Sequence, residues 1–485
     1  MITPFTRSEG RAAALLASVA LAGCSTMAPR YERPSAPVAA TFAGAEAYGE
    51  AHDAAAPPVA DIGWRQVFSD PLLHRLIERT LINNRDLRVA NLNVEAARAR
   101  YRIDRAANLP AVSLGADATV QRLPSDLFYN RRQYQVGGTV TAWELDLWGR
   151  TRSLSEQALQ SFFAAEETRN AAHISLIGEL ATSYLTLRAD QAMLKLSRDT
   201  LEAQKRSYEL TRQLADVGYV TELDVRRAET ALRSAQSDVA AYTRQSALDR
   251  NALVLLLGEP ITPELAGELD ALDTLPDGIV LADLPAGLPS DLLTRRPDIR
   301  AAEHTLRAAN ANIGAARAAF FPTVSLTGSG GTASASLENL FSGGSEAWVF
   351  APRITLPIFQ GGALRANLDR SEVQKSTEVA NYEKAIQIAF REVSDGLAGQ
   401  ETFEDQLQVE QQRVSATAAA FQLADQRFRE GEDDSLAVLD AQRAHYAAQQ
   451  ALVRVRLARL SNLVHLYKAL GGGWSAETTS TASTS

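Results

Sequence analysis

Two stretches of this 485-residue chain, 150–216 and 363–429, contain no proline and only three glycines, Gly178, Gly396 and Gly399. Each is 67 residues long. A continuous helix over either would run about 100 Å at about 1.5 Å per residue. No compact domain wraps an element of that length. In the first stretch Leu180, Leu187, Leu194, Leu201 and Tyr208 recur every seven residues. In the second, Leu407, Val414, Phe421 and Phe428 keep the spacing, which breaks only at Gln400. Val225, Leu232, Val239 and Leu253 carry it along the segment that follows the first stretch. Sustained sevens predict supercoiled helix packing.

The two stretches are parts of one unit written twice. Shifting the chain by 212 pairs residues 86–115 with 298–327 without a gap, and thirteen of those thirty pairs are identical. Arg88 falls on Arg300, Arg105 on Arg317, Pro110 on Pro322, and Val112-Ser113-Leu114 on Val324-Ser325-Leu326. A shift of 213 then sets Gly218 on Gly431, Leu223 on Leu436 and Gly258 on Gly471. Solenoid periods run about 20 to 50 residues, so this is a duplication. The expected domains are 1–23, 24–74, a first repeat 75–258, a connector 259–286, a second repeat 287–471 and a tail 472–485.

Each repeat reads helix, strand, strand, long helix, tight turn, helix. Residues 85–108 and 298–320 are Ala-rich helices that stop before Pro110 and Pro322. Over 112–121, Val112, Leu114, Ala116, Ala118 and Val120 oppose Ser113, Asp117, Thr119 and Gln121. Trp348, Phe350, Ile354, Leu356 and Ile358 oppose Arg353 and Thr355. Segments 134–147 and 324–335 alternate less cleanly and carry glycine. Such alternation fits a lipid-facing barrel with a wet lumen, and equally a half-buried soluble sheet. The long helices, which no compact domain wraps, favour the barrel. Four strands cannot close one, and open edges cannot sit in lipid. A cyclic assembly would close both layers.

The N-terminus supplies a location. Arg7 and Arg11 precede the apolar run 12–22, which ends in Leu21-Ala22-Gly23-Cys24. That run suits a signal-peptide core and is shorter than the ~20 residues of a membrane-spanning helix. The residues before Cys24 resemble a bacterial lipobox, which implies cleavage before Cys24 and acylation there, with Ser25 consistent with sorting to the outer membrane. Beyond residue 24 the longest unbroken apolar stretch is six residues, 252–257. One cysteine cannot build a disulfide framework or thiolate cluster. A net charge of −9 argues against nucleic acid as a partner. The six histidines (52, 74, 173, 304, 445 and 465) show no HExxH or other ligand spacing, and no GxSxG or phosphate loop is present, so neither enzyme nor cofactor is expected.

Several strings resemble the TolC-type outer membrane factors, and among them the lipid-anchored OprM/NodT-like branch. They are Leu21-Ala22-Gly23-Cys24, Tyr31-Glu32-Arg33-Pro34, and Trp64 through Asn84-Arg85-Asp86-Leu87. Trp143-Glu144-Leu145-Asp146-Leu147-Trp148-Gly149-Arg150, Leu356-Pro357-Ile358-Phe359-Gln360-Gly361-Gly362 and Leu439-Asp440-Ala441-Gln442-Arg443 complete them. The resemblance implies a mixed α/β membrane protein: a homotrimer whose twelve-stranded barrel, four strands from each chain, continues into a periplasmic α-helical barrel with an equatorial belt. It implies the exit duct of a tripartite efflux pump for small molecules, with a periplasmic adaptor and an inner-membrane transporter of the resistance-nodulation-division type as partners. The duct is expected in the outer membrane, in contact with its lipid, with a large periplasmic portion. Aromatic residues near the strand ends, Phe128, Tyr129, Tyr134, Trp143, Trp148, Phe341, Trp348 and Phe359, suit interfacial girdles.

Gating is implied at the helix-to-helix turns, 217–222 and 430–436, each opened by a glycine, Gly218 or Gly431. Asp224 and Asp440 match the acidic residues of the family aperture, and Asp433 and Asp434 add carboxylates beside them. Rings of carboxylates favour cations in a pore. A periplasmic coiled-coil lipoprotein without channel activity would explain the lipobox and the sevens, but not paired strands at matching places in both repeats. A protein-secretion duct is the other alternative. The variant Cys24→Ala is expected to lose acylation on intact-mass analysis; an acylated variant would refute the anchor.

Overall fold

The computed structural model describes residues 26–39, 59–122, 131–281, 289–474 and 476–477. Its helices are α1 (Trp64–Val67), α2 (Pro71–Asn83), α3 (Arg85–Ala106), α4 (Arg150–Asp216), α5 (Glu222–Leu257), α6 (Pro263–Asp270), α7 (Pro289–Arg295), α8 (Pro297–Ala318), α9 (Ala363–Arg429) and α10 (Ser435–Ala469). Its strands are β1 (Val112–Gln121), β2 (Arg131–Leu145), β3 (Thr323–Ser334) and β4 (Glu346–Thr355). Helices α4 and α9 are each 67 residues long, and α3 and α8 are each 22. The chain divides into two compact units. The first gathers Met1–Ala36, Leu92–Glu167 and Ala301–Lys384, the second Pro37–Asn91, Thr168–Arg300 and Ala385–Ser485.

In the first unit all four strands form one antiparallel sheet in the order β1-β2-β3-β4, so β1 and β4 are edges. Directly paired residues share a face. Val112, Leu114 and Val120 therefore lie with Val136 and Val140 of β2, Val324 and Leu326 of β3, and Trp348, Phe350 and Ile354 of β4. The other face carries Asp117, Thr119, Gln133, Gln135, Ser325 and Arg353. Every residue of β1 and β4 is exposed, with Leu114 at 82% and Trp348 at 79%.

The uneven alternation in 134–147 has a cause. Val140 pairs with Gly328 but Trp143 pairs with Leu326, so β2 carries one extra residue between them. Ala142 stands there with a φ of 48° and donates its amide to Thr327 Oγ1 at 3.1 Å. The bulge switches the parity of β2, and Trp143 and Leu145 rejoin the apolar face that Val136 and Val140 began. Glycine in mid-sheet is steric in origin. A Cβ on Gly331 would lie 2.1 Å from the Val136 carbonyl oxygen, and one on Gly137 2.6 Å from that of Gly330. The strand β4 ends at Thr355, so Leu356 and Ile358, expected on its apolar side, fall beyond it. Pro357 has no N–H to continue a ladder.

The string Tyr31-Glu32-Arg33-Pro34 is a strap held on α8 within the same unit. Arg33 donates to both oxygens of Glu303 (3.1 and 2.8 Å), and the Tyr31 hydroxyl donates at 3.2 Å. Arg307 donates at 2.7 Å, with its guanidinium 5.0 Å from the Tyr31 ring. Burial pushes the Glu303 carboxyl up, yet the bonds from Arg33 and Arg307 outweigh it and hold the group below its ordinary value. Asn310 donates to the Pro29 carbonyl at 2.8 Å, and a Cβ on Gly314 would meet Ala28 N at 2.7 Å. The strap reaches the strand-to-helix junction, where Thr26 packs on Gly149, whose φ is +72°. There Arg150 pairs with Glu144, Asp146 accepts from the amides of Thr151 and Arg152, and Trp148 donates to the Pro322 carbonyl at 2.8 Å. Cys24 itself, Phe128, Tyr129 and the tail from 478 lie outside the described residues.

The second unit holds the larger core. Trp64, Phe68, Leu73, Leu76, Ile77, Leu180, Tyr184, Leu187, Leu253 and Leu460 are all 2% exposed or less. Asp70 joins α2 to α4: it caps α2 at Leu72 N and accepts from Tyr184 (2.6 Å) and buried Arg188 (2.7 Å) of α4. Asn84 caps α3 at Leu87 N and donates to the Leu256 carbonyl of α5. Along α9 the sevens break where α10 comes close. Cβ atoms on Gly396 and Gly399 would meet Leu466 at 3.0 Å and Asn462 at 2.4 Å. Asn462 donates to the Gly396 carbonyl at 2.8 Å.

Replacing Glu303 by Ala is expected to cost about 2 kcal/mol, because two arginines and a tyrosine lose one buried carboxylate. Limited proteolysis should then cut the strap near residues 30–36 faster than in the native protein. Unchanged cleavage there would mean the strap is held by other contacts.

Candidate functional site

Two interhelical turns in the second unit hold the residues that the sequence singled out. In the first, α4 ends at Asp216 and Gly218 reverses the chain with a φ of +80°. Its amide donates to Ala215 O and that of Tyr219 to Leu214 O, both at 2.9 Å, satisfying the last carbonyls of α4. A Cβ on Gly218 would touch nothing within 4 Å, so the demand for glycine is conformational. Val217 and Tyr219 are left 67% and 81% exposed. The second turn repeats the device after α9. Gly431 has a φ of +78°, and Glu432 N donates to Arg427 O at 2.9 Å.

The carboxylates divide by duty. Asp224 completes a capping box with Thr221, accepting from the Thr221 amide at 3.0 Å and its hydroxyl at 2.6 Å. Its other oxygen accepts from Ser435 Oγ at 3.0 Å, so it joins the starts of α5 and α10. Arg227 stands 3.7 Å away. The Thr221 hydroxyl and amide, with Ser435 and Arg227, hold the Asp224 carboxyl below its ordinary value. Asp434 is the N-cap of α10 and accepts from Ala437 N at 3.1 Å. Asp433 is paired with Arg427 at 2.6 Å, whose hydrogen bond depresses its pKa. Asp440 differs. Its side chain is 66% exposed, and its nearest cation, Arg443, is 3.9 Å away.

The structure therefore joins Asp224 to the second turn, which the sequence did not reveal. A shift of 213 sets Thr221 on Asp434, so the two N-caps are equivalent, while Asp224 falls on Ala437. Only the first turn has the full capping box. Sequence reasoning also missed Tyr446. Its hydroxyl lies 2.9 Å from Ser197 Oγ of α4 and donates to Asp238 of α5 at 3.3 Å, linking three helices. No periodicity marks that group. His445 stacks on Phe421 at 6.4 Å. Among the described residues no cluster of three His, Cys, Asp or Glu could hold a metal, and no helix is long and apolar enough to cross a membrane.

A sheet with one apolar face and bare edges, in a chain of paired long helices, defines a channel subunit that crosses its membrane by strands. The sequence profile of the outer membrane efflux protein family matches residues 76–259 and 288–472. The antibiotic efflux pump outer membrane protein ArpC of Pseudomonas putida is 49% identical over 465 residues, covering 94% of each chain. The toluene efflux pump outer membrane protein TtgC, also of Pseudomonas putida, is equally similar, at 49% over 465 residues and 94% of each chain. The open-state crystal structure of the Neisseria gonorrhoeae MtrE outer membrane channel aligns with a TM-score of 0.83 at 39% identity, over 94% of this chain and all of that one. The chain belongs to the outer membrane efflux protein family. It is an outer membrane exit channel of efflux pumps, with a large periplasmic portion.

Removing the Asp224 carboxylate as Asp224→Ala is expected to destabilise the start of α5 by about 1 kcal/mol. Hydrogen exchange over 222–226 should accelerate. Because the folded pKa lies below the ordinary 3.8, the contribution is present above that pH and is lost as pH falls through the depressed value. The native protein and the variant should therefore converge in strong acid and diverge at neutrality. Identical exchange at neutral pH would show that the box carries no stability.

Proposed function

We propose that three copies of this chain close a twelve-stranded barrel in the outer membrane and serve as the exit duct of a tripartite pump. The observation that carries this reading is the open four-stranded sheet. Among the described residues both its edges are unpaired, and the apolar side chains of its edge strands, Val112 and Leu114 on β1 and Trp348 and Ile354 on β4, are exposed. In hydrocarbon every backbone N–H and C=O needs a partner, which β1 and β4 can find only on neighbouring copies. Four strands are too few to close, and closure through copies of the same sheet is the economical solution.

In this reading a periplasmic adaptor docks on the helical hairpins and an inner-membrane resistance-nodulation-division transporter supplies the energy. The duct performs no catalysis; it binds no cofactor and passes small molecules. Similarity to pump proteins named for antibiotics and for toluene, at the same identity, supports a small-molecule cargo and leaves selection to the transporter. Cys24 is the lipid attachment point. Support comes from Thr26, two residues on, which lies against Gly149 just after β2 ends. Two residues reach about 7 Å at most. Acylation at Cys24 would thus meet the membrane beside the strands that enter it.

Gating belongs to the two turns. Gly218 and Gly431 permit the reversals, Asp224 and Asp434 hold the helix starts, and Asp433 is neutralised by Arg427. Asp440 is the carboxylate left to face ions, and three copies would form a ring that favours cations. Single-channel recording of the lipidated protein in planar bilayers tests this. Asp440→Ala is expected to raise the resting conductance and cut cation preference at least about twofold, without change in stability. A variant with native conductance and selectivity removes Asp440 from the aperture. A well-folded native protein that never conducts favours the structural-lipoprotein alternative.

A further inference from the structure

Asp190 of α4 and Asp249 of α5 face each other within the second unit, and Leu187 and Leu253, about one turn away on the same helices, are both 0% exposed. Asp249 is itself only 8% exposed. One of its oxygens accepts from Gln245 Nε2 at 3.1 Å. The other, Oδ2, is buried without any hydrogen-bond donor. The Asp190 carboxyl, itself half-buried, stands opposite, and two ionised carboxylates cannot occupy hydrogen-bonding distance without strong repulsion.

The surrounding cations are committed elsewhere. On α4, Arg188 is paired with Asp70 and Lys195 with Asp273. Arg250, next to Asp249 on α5, is paired with Asp270 of α6. On α2, Arg75 is paired with Glu268 and Arg79 with Glu259, and on α10 Arg456 with Asp277. None of these is left to neutralise a second negative charge. A shared proton meets the need with least demand on geometry.

We propose that Asp190 and Asp249 hold one proton between them and form an acid-tightened clasp between α4 and α5. With one proton present, a carboxyl donates to the orphaned Asp249 oxygen and the two helices are bonded. Without it, two negative charges face each other, one of them buried. Burial, then the bond and charge of Asp249, push the Asp190 carboxyl up to about 7 from an ordinary 3.8. A raised carboxyl pKa in the folded state adds stability in acid and loses it as pH rises through the raised value. The clasp is therefore closed below neutrality and opens above it. The hairpin so fastened ends in the turn that carries Gly218 and Asp224. Its tightening in acid would then restrain the aperture, a last step that rests on the duct reading.

The test compares the native protein with Asp190→Asn and Asp249→Asn in detergent from pH 5 to pH 8. Each variant places a permanent amide donor beside the remaining carboxylate. Both are expected to melt about 2–4 °C above the native protein at pH 8 and to match it at pH 5. Infrared difference spectra should show a protonated carboxyl in the native protein at pH 6 that is missing from both variants. Melting curves that stay parallel across the range, or no protonated carboxyl, would overturn the proposal. A rise in native melting temperature at pH 8 on adding magnesium or calcium, absent in the variants, would also overturn it and make the pair a cation site. None of these readings depends on conductance, so the clasp can fail while the duct stands.

Discussion

The backbone hydrogen bond at the edge of the sheet is the constraint on which the architecture rests. Each of β1 and β4 has a partner on one side only, and lipid offers nothing to the other. A soluble sheet can leave an edge to water, or blunt it with charge. A sheet whose exposed face carries Trp348, Phe350, Leu114 and Val112 has neither option. From this follow the need for neighbours and the value of an apolar face that stays continuous along every strand. The bulge at Ala142 is part of the same logic. One residue in a left-handed conformation keeps fifteen residues of β2 on the correct face at both ends.

Much of this was legible in the chain because it rests on local rules. Freedom from proline, together with Pro110 and Pro322 after the short helices, set the helical bounds. The clean alternation of 112–121 set β1. Where reading faltered, two patterns overlapped. Strand β2 is in phase on each side of Ala142 and out of phase across it, so a single period fits neither half. The helical sevens fail near Gln400 because Gly396 and Gly399 let α10 approach too closely for a leucine seam. Both departures are places where the neighbour, not the segment, decides.

The carboxylates were harder to sort. In sequence Asp224, Asp433, Asp434 and Asp440 look alike, a run of acid near two turns. Only tertiary neighbours separate a cap, an ion pair, a cross-turn bond to Ser435 and a largely solvated charge. The Tyr31 and Arg33 string was readable as a family mark, yet its reason lies some 270 residues away at Glu303. Asp190 and Asp249, 59 positions apart on successive helices, carry no signal at all until the helices are paired.

The duplication is imperfect at one telling place. Where the first repeat has Thr221 and Asp224 bonded reciprocally, the second has Asp434 and Ala437, and its cap is one-sided. In the three-copy duct proposed above, hairpins of the two repeats would alternate, so every second stave would begin from a one-sided cap. Under that proposal six nominally equivalent staves fall into two sets of three, and a tip that looks sixfold keeps only threefold symmetry.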